Sequence, residues 1–368
     1  MSASRRIVLC AGELSGDMHA AHVVAALRER IPGVGITGMA GANCARAGMD
    51  VRFEYNDYAV IGFTGIFASL PRFYRLERRL RALIDDADLF IAVDYPGLNL
   101  RLCAYAHARG KRVLYFIAPQ VWAWGARRVQ KMKRTVDQVA VVLPFEADIY
   151  RRAGMAVEYV GHPFVTDHDL PAPRPESERE WIALLPGSRA SEVDAMLPTF
   201  LAAAEYLVAR DPTLRVAIGR SPVVPPDVYD EHLRGVSFPV ERRDGAVDVL
   251  SRARAAMVAS GTATLEAALL ETPLVVVYRT GATNYALAKR LVKIPHVGLV
   301  NIVLGDEVAP EFVQASATPD AIASAVERIL DDAEYRLAMV ERFRGLRARL
   351  GEGMGSARVA ELAGKLLS

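Results

Sequence analysis

The stretch Ala255–Arg279, reading AAMVASGTATLEAALLETPLVVVYR, constrains this chain more than any other. Ala255–Ala259 is a short apolar run, and Ser260 and Gly261 make a tight turn. A helix opens near Thr262 and must stop before Pro273, which cannot continue it. Leu274–Val277 then reads as a strand buried on both faces. Strand, turn, helix and strand in this order are the repeating unit of a parallel sheet. The turn offers backbone N–H groups at a helix N-terminus, and the small residues Gly261, Thr262, Ala263 and Thr264 let an anionic group approach them. A phosphate or pyrophosphate fits that description. Glu266, one turn into an otherwise apolar helix, is placed to accept hydrogen bonds from a ribose. The plainer reading is a Ser/Thr-capped crossover with a solvated glutamate.

At 368 residues the chain is long for one domain and suggests two. It is 52% hydrophobic with a net charge of +2, enough to bury sizeable cores and too balanced for a dedicated nucleic-acid binder. Cys10, Cys44 and Cys103 are far apart and form no CxxC, which points to a reduced, cytosolic protein without a structural metal. The N-terminus enters a strand at once, with no signal peptide. No run of about 18 uncharged apolar residues spans a bilayer, which leaves binding at a membrane surface open.

In the first half, Arg6–Ala11 is a buried strand, followed by Gly12-Glu-Leu-Ser-Gly-Asp17 and a helix from about Met18 to Arg30. Ligands of parallel sheets bind at such junctions. Asp17 and His19 would sit at the mouth, or Asp17 would be an N-cap and His19 and His22 surface helix residues. Gly33–Gly38 matches GxGxxG but follows a helix and contains a strand, the reverse of the dinucleotide context. Gly41, Asn43 and Gly48 continue as a loop and short helix. Residues 61–84 combine Ile61, Phe63, Ile66, Phe67, Leu70, Phe73 and Tyr74 with Arg72, Arg75, Arg78, Arg79 and Arg81. That is either a membrane-surface element or a core helix with a solvated basic face. Leu89–Asp94 is a strand ending in a carboxylate before Tyr95-Pro-Gly-Leu-Asn99, so Asp94 is a candidate general base or a helix cap. After the strand Arg112–Ala118 come Trp122 and Trp124, placed either to pack on a sugar or acyl chain or to fill a core, and then a basic helix.

Residues 167–180, proline-rich and charged, read as a linker. A second series opens with the strand Trp181–Leu185, the turn Pro186-Gly-Ser188-Arg189 and a helix from about Glu192. Arg189 suits a diphosphate. Tyr285–Val292 reads as helix, 301–314 as loop-rich, and helices fill the C-terminus. The expected fold is α/β, with two doubly wound Rossmann-like domains facing a central cleft and C-terminal helices free to return to the first domain.

The ordered set of motifs resembles the lipid-A-disaccharide synthase family, bacterial glycosyltransferases of the two-Rossmann-domain (GT-B) type. It comprises GELSGD (12–17), IG (61–62), VDYPGLN (93–99), PQVWAW (119–124), LPFE (143–146), YVGHP (159–163), LLPGSR with EV (184–193), SGTATLEAAL (260–269), VVVYR (275–279), LVKIPHVGLVN (291–301) and PEFVQ (310–314). Two departures stand out. The family usually has a Glu after a Met-Gly pair, where this chain has Gly65 and Ile61, and its usual Tyr-Val-Ser-Leu-Pro-Asn reads His296-Val-Gly-Leu-Val-Asn301. The resemblance implies an acceptor-binding, membrane-facing domain over 1–166, the linker 167–180, a UDP-sugar domain over 181–335 and helices over 336–368.

The reaction so implied transfers 2,3-diacylglucosamine from UDP-2,3-diacylglucosamine to 2,3-diacylglucosamine 1-phosphate with inversion, giving a β-1,6 disaccharide and UDP. It needs a base, a group to stabilise the leaving diphosphate and two sugars held in line. Asp94 is the expected base, with His19 or Asp17 as the alternative or as help to the acceptor. Ser188, Arg189 and the N–H groups from Gly261 to Thr264 would hold the diphosphate without a metal or other cofactor, and Glu266 the ribose. Asn301, Glu311 and Gln314 resemble family positions near the donor. Phe63, Ile66, Phe67, Leu70, Arg72, Phe73, Arg75, Trp122 and Trp124 would meet the acceptor or the membrane. The resemblance places the protein in the cytoplasm, peripheral on the inner face of the inner membrane. Family members can exchange C-terminal parts in a homodimer. The rival readings are a UDP-N-acetylglucosamine 2-epimerase or other hexosaminyl transferase, and a non-catalytic lipid or nucleotide binder. An NAD-dependent oxidoreductase is disfavoured by the misplaced GxGxxG.

Overall fold

The computed structural model describes residues 5–58, 65–119, 121, 126–167, 170–281, 295–351 and 354–368, with the backbone alone at 65–70 and 126–127. The chain divides into two compact units, Met1–His168 with Leu350–Ser368, and Asp169–Arg349.

The first unit alternates β1 (Arg6–Ala11), α1 (Leu14–Arg30), β2 (Gly35–Ala40), α2 (Ala42–Arg46), β3 (Asp50–Glu54), α3 (Gly65–Asp85), β4 (Leu89–Val93), α4 (Pro96–Ala108) and β5 (Arg112–Phe116). It continues with α5 (Ala126–Lys133), β6 (Gln138–Val141), α6 (Glu146–Arg152), β7 (Val157–Tyr159) and α7 (Pro163–Thr166). The strands form one parallel sheet in the order β3-β2-β1-β4-β5-β6-β7. Apolar runs such as Leu89–Val93 are wholly buried, because helices cover both faces. The last glycine of 33–38 serves this sheet: a Cβ at Gly38 would stand 2.1 Å from the Leu9 carbonyl oxygen.

The second unit runs β8 (Trp181–Leu185), α8 (Ala190–Arg210), β9 (Arg215–Arg220), α9 (Pro226–Leu233), β10 (Val240–Asp244), α10 (Val247–Ser251) and β11 (Ala253–Ala259). Then come α11 (Ala263–Leu269), β12 (Leu274–Tyr278), α12 (Leu299–Leu304), β13 (Glu311–Val313), α13 (Pro319–Asp331) and α14 (Ala333–Arg349). Its sheet is also parallel, in the order β10-β9-β8-β11-β12-β13. The last helix, α15 (Gly355–Leu367), packs on α1 and α7 and reaches β4 and β5, so it belongs to the first unit. Its start is tied down by the Asp167 carboxylate, which accepts from the Ser356 amide and, at 2.7 Å, from its hydroxyl.

Several elements differ from the sequence expectation. Helix α1 begins at Leu14, before Asp17, rather than at Met18. The edge strands β3 (DVRFE) and β10 (VERRD) were not expected as strands, because an edge covered on one side carries no apolar run. Within 301–314, expected to be loop-rich, lie the end of α12 and the edge strand β13, paired with β12. The linker is not loose at its end: Arg179 donates to the carbonyls of Arg174, Ala253 and Leu270 and to the Thr272 hydroxyl. The helix expected over Tyr285–Val292 lies outside the described residues.

Both sheets have the same switch point. β1 lies beside β4, and β8 beside β11, with the following strands added on opposite sides. Loops leaving such a pair splay apart and open a crevice at the strand C-termini, where ligands of doubly wound sheets bind.

Candidate active site

At the switch point of the first sheet the loop after β4 is strained. Asp94 and Tyr95 both have left-handed backbones, with φ of 47° and 48°. The next strand ends the same way at Ile117, φ 54°, which is rarer still for a β-branched residue. Each such residue costs about 1–3 kcal/mol and persists only where the surroundings over-determine it. Here they do. The Asp94 amide donates to the Phe116 carbonyl at 3.0 Å. The Asp94 carbonyl accepts from Asn99 Nδ2 at 2.7 Å and from the Tyr115 hydroxyl at 2.8 Å. Asp94 itself is half-buried. The N-cap of α4 is Tyr95, so Asp94 stands one residue outside the helix it was a candidate to cap. The Tyr95 ring lies so close over Gly12 that a Cβ there would be 2.1 Å from it, which makes glycine obligatory at that point of the β1–α1 turn.

Asp17 and His19 have other partners than expected. Asp17 is 1% exposed, and its carboxylate accepts from the amides of Gly41 (2.8 Å), Asn43 (3.0 Å) and Cys44 (3.2 Å) and from Asn43 Nδ2 (2.9 Å). It caps α2 from a neighbouring helix, which commits it to structure rather than to acid–base work. His19 is buried rather than on the helix surface, its ring edge-on to Phe164 at 5.8 Å, with His162 on Phe164 at 5.0 Å.

The donor candidates gather at the C-terminal ends of β8, β11, β12 and β13. After β8, the Glu192 carboxylate accepts from the amides of Ser188 (2.8 Å) and Arg189 (3.3 Å) and pairs with the Arg189 guanidinium at 2.9 Å. Gly187, φ 126°, leaves the room this needs: a Cβ would meet that of Glu192 at 2.5 Å. After β11, the Thr264 amide bonds back to the Gly261 carbonyl, so the N–H groups open to an anion are those of Gly261, Thr262 and Ala263, and Thr264 drops out of that set. The Thr264 side chain is buried and braces the turn, donating to the Gly261 carbonyl and accepting from the Val300 amide. Ser260 donates to the Val297 carbonyl at 2.7 Å. Glu311 accepts from the amides of Val297 and Gly298 and from Asn301 Nδ2, while Asn301 Oδ1 accepts from the amides of Val308 and Ala309. Asn301 and Glu311 therefore shape the loop that faces the turn. Gln314, left-handed at φ 54°, donates to the Thr280 carbonyl at 3.1 Å. Glu266 is half-buried, and desolvation pushes its carboxyl up to about 7.

In α3 the stretch 72–84 is amphipathic. Leu76, Leu80 and Ile84 are buried, Arg72, Tyr74, Arg75, Arg78 and Arg79 are exposed, and Glu77 is held by Arg81 and Arg101. Phe73 is half-buried against Tyr58 rather than displayed. Phe63, Trp122 and Trp124 lie outside the described residues, as do the side chains of Ile66, Phe67 and Leu70. No helix among the described residues is long and apolar enough to cross a membrane, and among them no three His, Cys, Asp or Glu gather as a metal would require.

Sequence reading missed the bracing side chains of Tyr115, Asn99, Glu192 and Ser260, although it placed Ser260 in the turn. Glu192 had a signal, the spacing of a carboxylate three residues into a helix. Tyr115 had none, since its hydroxyl matters only through the neighbouring strand.

The family model described as lipid-A-disaccharide synthetase matches residues 7–357. The lipid-A-disaccharide synthase of Trichlorobacter lovleyi is 39% identical over 371 residues, covering 97% of this chain and 96% of its own. That of Nitrosococcus oceani is 37% identical, covering 98% and 96%, and that of Myxococcus xanthus 38%, covering 98% and 97%. Among solved structures, the calicheamicin glycosyltransferase CalG4 superposes with a TM-score of 0.60 at 18% identity, covering 99% of this chain and 98% of its own. UDP-GlcNAc 2-epimerase from Neisseria meningitidis bound to UDP-GlcNAc gives 0.64 at 12%, covering 98% and 100%. At such identities the likeness is one of fold.

Proposed function

The chain belongs to the lipid-A-disaccharide synthase family, a glycosyltransferase of lipid A biosynthesis on the two-Rossmann-domain fold, and on that premise we propose the transfer it performs. The donor is UDP-2,3-diacylglucosamine and the acceptor 2,3-diacylglucosamine 1-phosphate. The acceptor 6-hydroxyl oxygen attacks the donor's anomeric carbon from the face opposite UDP. As the new C–O bond forms, the Asp94 carboxylate takes the hydroxyl proton. The bond from the anomeric carbon to the diphosphate breaks, and its electron pair leaves on UDP. One displacement inverts the centre, giving the β-1,6 disaccharide.

Charge develops on the diphosphate as it departs. Arg189 and the N–H groups of Gly261, Thr262 and Ala263 receive it in this reading, with no metal or cofactor drawn on. Glu192 orients Arg189 for the purpose. Glu266 takes the ribose hydroxyls, while Asn301 and Glu311 act by holding the loop beside the turn. Gln314 lies at the end of β13 on the same edge. The exposed arginines of α3 suit an anionic membrane surface, where acylated sugars reside. The protein then works on the cytoplasmic face of the inner membrane, and a homodimer is compatible with it.

The observation that carries this reading is Asp94, a half-buried acidic residue locked in a left-handed turn at the switch point. The test is UDP release from UDP-2,3-diacylglucosamine with and without the acceptor in detergent micelles. Release that requires both, with a disaccharide product, is the expected result. Release or epimerisation without acceptor would refute the transfer. A retained anomeric configuration would refute the single displacement.

A further inference from the structure

Asn99 is fully buried at the start of α4, and its Nδ2 lies 3.1, 3.2 and 2.7 Å from the carbonyl oxygens of Cys10, Val93 and Asp94. These contacts fix the amide orientation, since a flip would set Oδ1 against the same carbonyls. They also bridge the ends of β1 and β4, the two strands of the switch point. The cost is visible on the other atom: Asn99 Oδ1 is buried with no hydrogen-bond partner. A fold keeps an orphaned acceptor where the donors opposite it matter. Tyr115, fully buried on β5, adds the second donor to the Asp94 carbonyl. Burial pushes its phenol well above the usual 10, so it remains an O–H donor. With its amide held by Phe116 and its carbonyl by two side chains, the Asp94 backbone has one available geometry, the left-handed one.

We infer that Asn99 and Tyr115 are positioning residues for the transfer: by holding the Asp94 carbonyl they set the direction in which its carboxylate meets the acceptor hydroxyl. The inference rests on Asp94 being the base. An ordinary strand-to-helix turn without these two donors would relax out of the left-handed region and swing the carboxylate away. A displacement of about 1 Å at a reacting group costs on the order of 10²-fold in rate.

The experiment compares Tyr115→Phe and Asn99→Asp with Asp94→Asn in the full chain, reading kcat, both KM values and the pH dependence of kcat. Asp94→Asn should lose about 10²–10⁴-fold in kcat, and the remaining rate should climb with pH, because solvent hydroxide is then the only base. Tyr115→Phe should lose about 10- to 100-fold in kcat with both KM values unchanged. Its pH profile should tilt upward toward that of Asp94→Asn. A Tyr115→Phe enzyme with wild-type kcat, or with lower kcat but the wild-type pH profile, overturns the positioning role while leaving Asp94 as base. An Asp94→Asn enzyme with wild-type kcat overturns the base and the inference together. Where Asn99→Asp does not fold, Tyr115→Phe decides alone.

Discussion

Single residues here carry stability effects that titration can read, and Glu266, the proposed ribose ligand, is one. Desolvation raises its carboxyl from 4.5 to about 7. Between those values the folded protein keeps a proton that the unfolded chain releases, so the folded state binds more protons and stability falls as pH rises. The loss starts near pH 4.5 and is complete above about 7. It amounts to at most about 3 kcal/mol, less where water screens the exposed part of the group. Glu266→Gln should remove this slope. In urea titrations the variant should match the wild type near pH 4.5 and become progressively the more stable of the two toward pH 8, at about 1–3 kcal/mol. Parallel stability curves for the two proteins would show that the carboxyl is not desolvated. Asp17 makes the opposite case, a carboxylate spent wholly on structure. Asp17→Asn loses charge-assisted bonds to the start of α2 and should cost about 1.5–3 kcal/mol in unfolding free energy. The folded variant should keep its kcat; a large drop in kcat at unchanged stability would return Asp17 to the chemistry.

Elements set what a side chain is available for. On α3, Leu76, Leu80 and Ile84 point to the core at a helical spacing, which leaves Arg72, Arg75, Arg78 and Arg79 together on the exposed side. Each arginine near an anionic bilayer is worth about 1 kcal/mol. Replacing Arg75 and Arg79 by Gln should weaken binding to anionic vesicles by about 30-fold and leave UDP affinity unchanged. Sedimentation with vesicles of mixed phosphatidylglycerol and phosphatidylethanolamine reads the first, and calorimetry the second. Vesicle binding that survives both substitutions would move the membrane contact elsewhere. The turn after β11 is likewise an element-level product, since Thr264 and Ser260 hold it against the segment 297–300.

At the scale of the whole molecule the donor candidates fall in one unit and the proposed base, Asp94, in the other. Arg189, the 260–264 turn, Glu266, Asn301, Glu311 and Gln314 all lie within Asp169–Arg349, which has its own six-stranded sheet. A fragment limited to those residues should fold and bind UDP within about tenfold of the full chain, a difference of about 1.4 kcal/mol. The first unit is not contiguous. Residues 1–168 without α15 would leave uncovered the face of α1 on which that helix packs, and should aggregate. Adding the 355–368 peptide should recover solubility. A soluble, cooperatively melting 1–168 fragment would show that the return of the chain is dispensable.

How much of this was legible depended on the range of the interactions. The sheets were legible because a parallel strand buried on both faces must be an uninterrupted apolar run, as in Leu89–Val93 and Leu274–Val277. The turn at Ser260–Gly261 and the carboxylate at Asp94 were legible because small residues and an acid at a strand end are local signals. Edge strands β3 and β10 were not, since half-covered backbone makes no demand on side-chain type. Nor were the roles of Asp17, Asn99, Tyr115 and Thr264. Each is decided by a hydrogen bond to a residue on another element, such as Asn99 to Cys10 or Asp17 to Gly41. The sequence alone thus determined two parallel α/β units and where their strands end. Only the tertiary structure decided that Asp17 is buried against the start of α2 while Asp94 stays half-buried in a left-handed turn, because burial and hydrogen-bond partners belong to neighbours in space rather than in the chain.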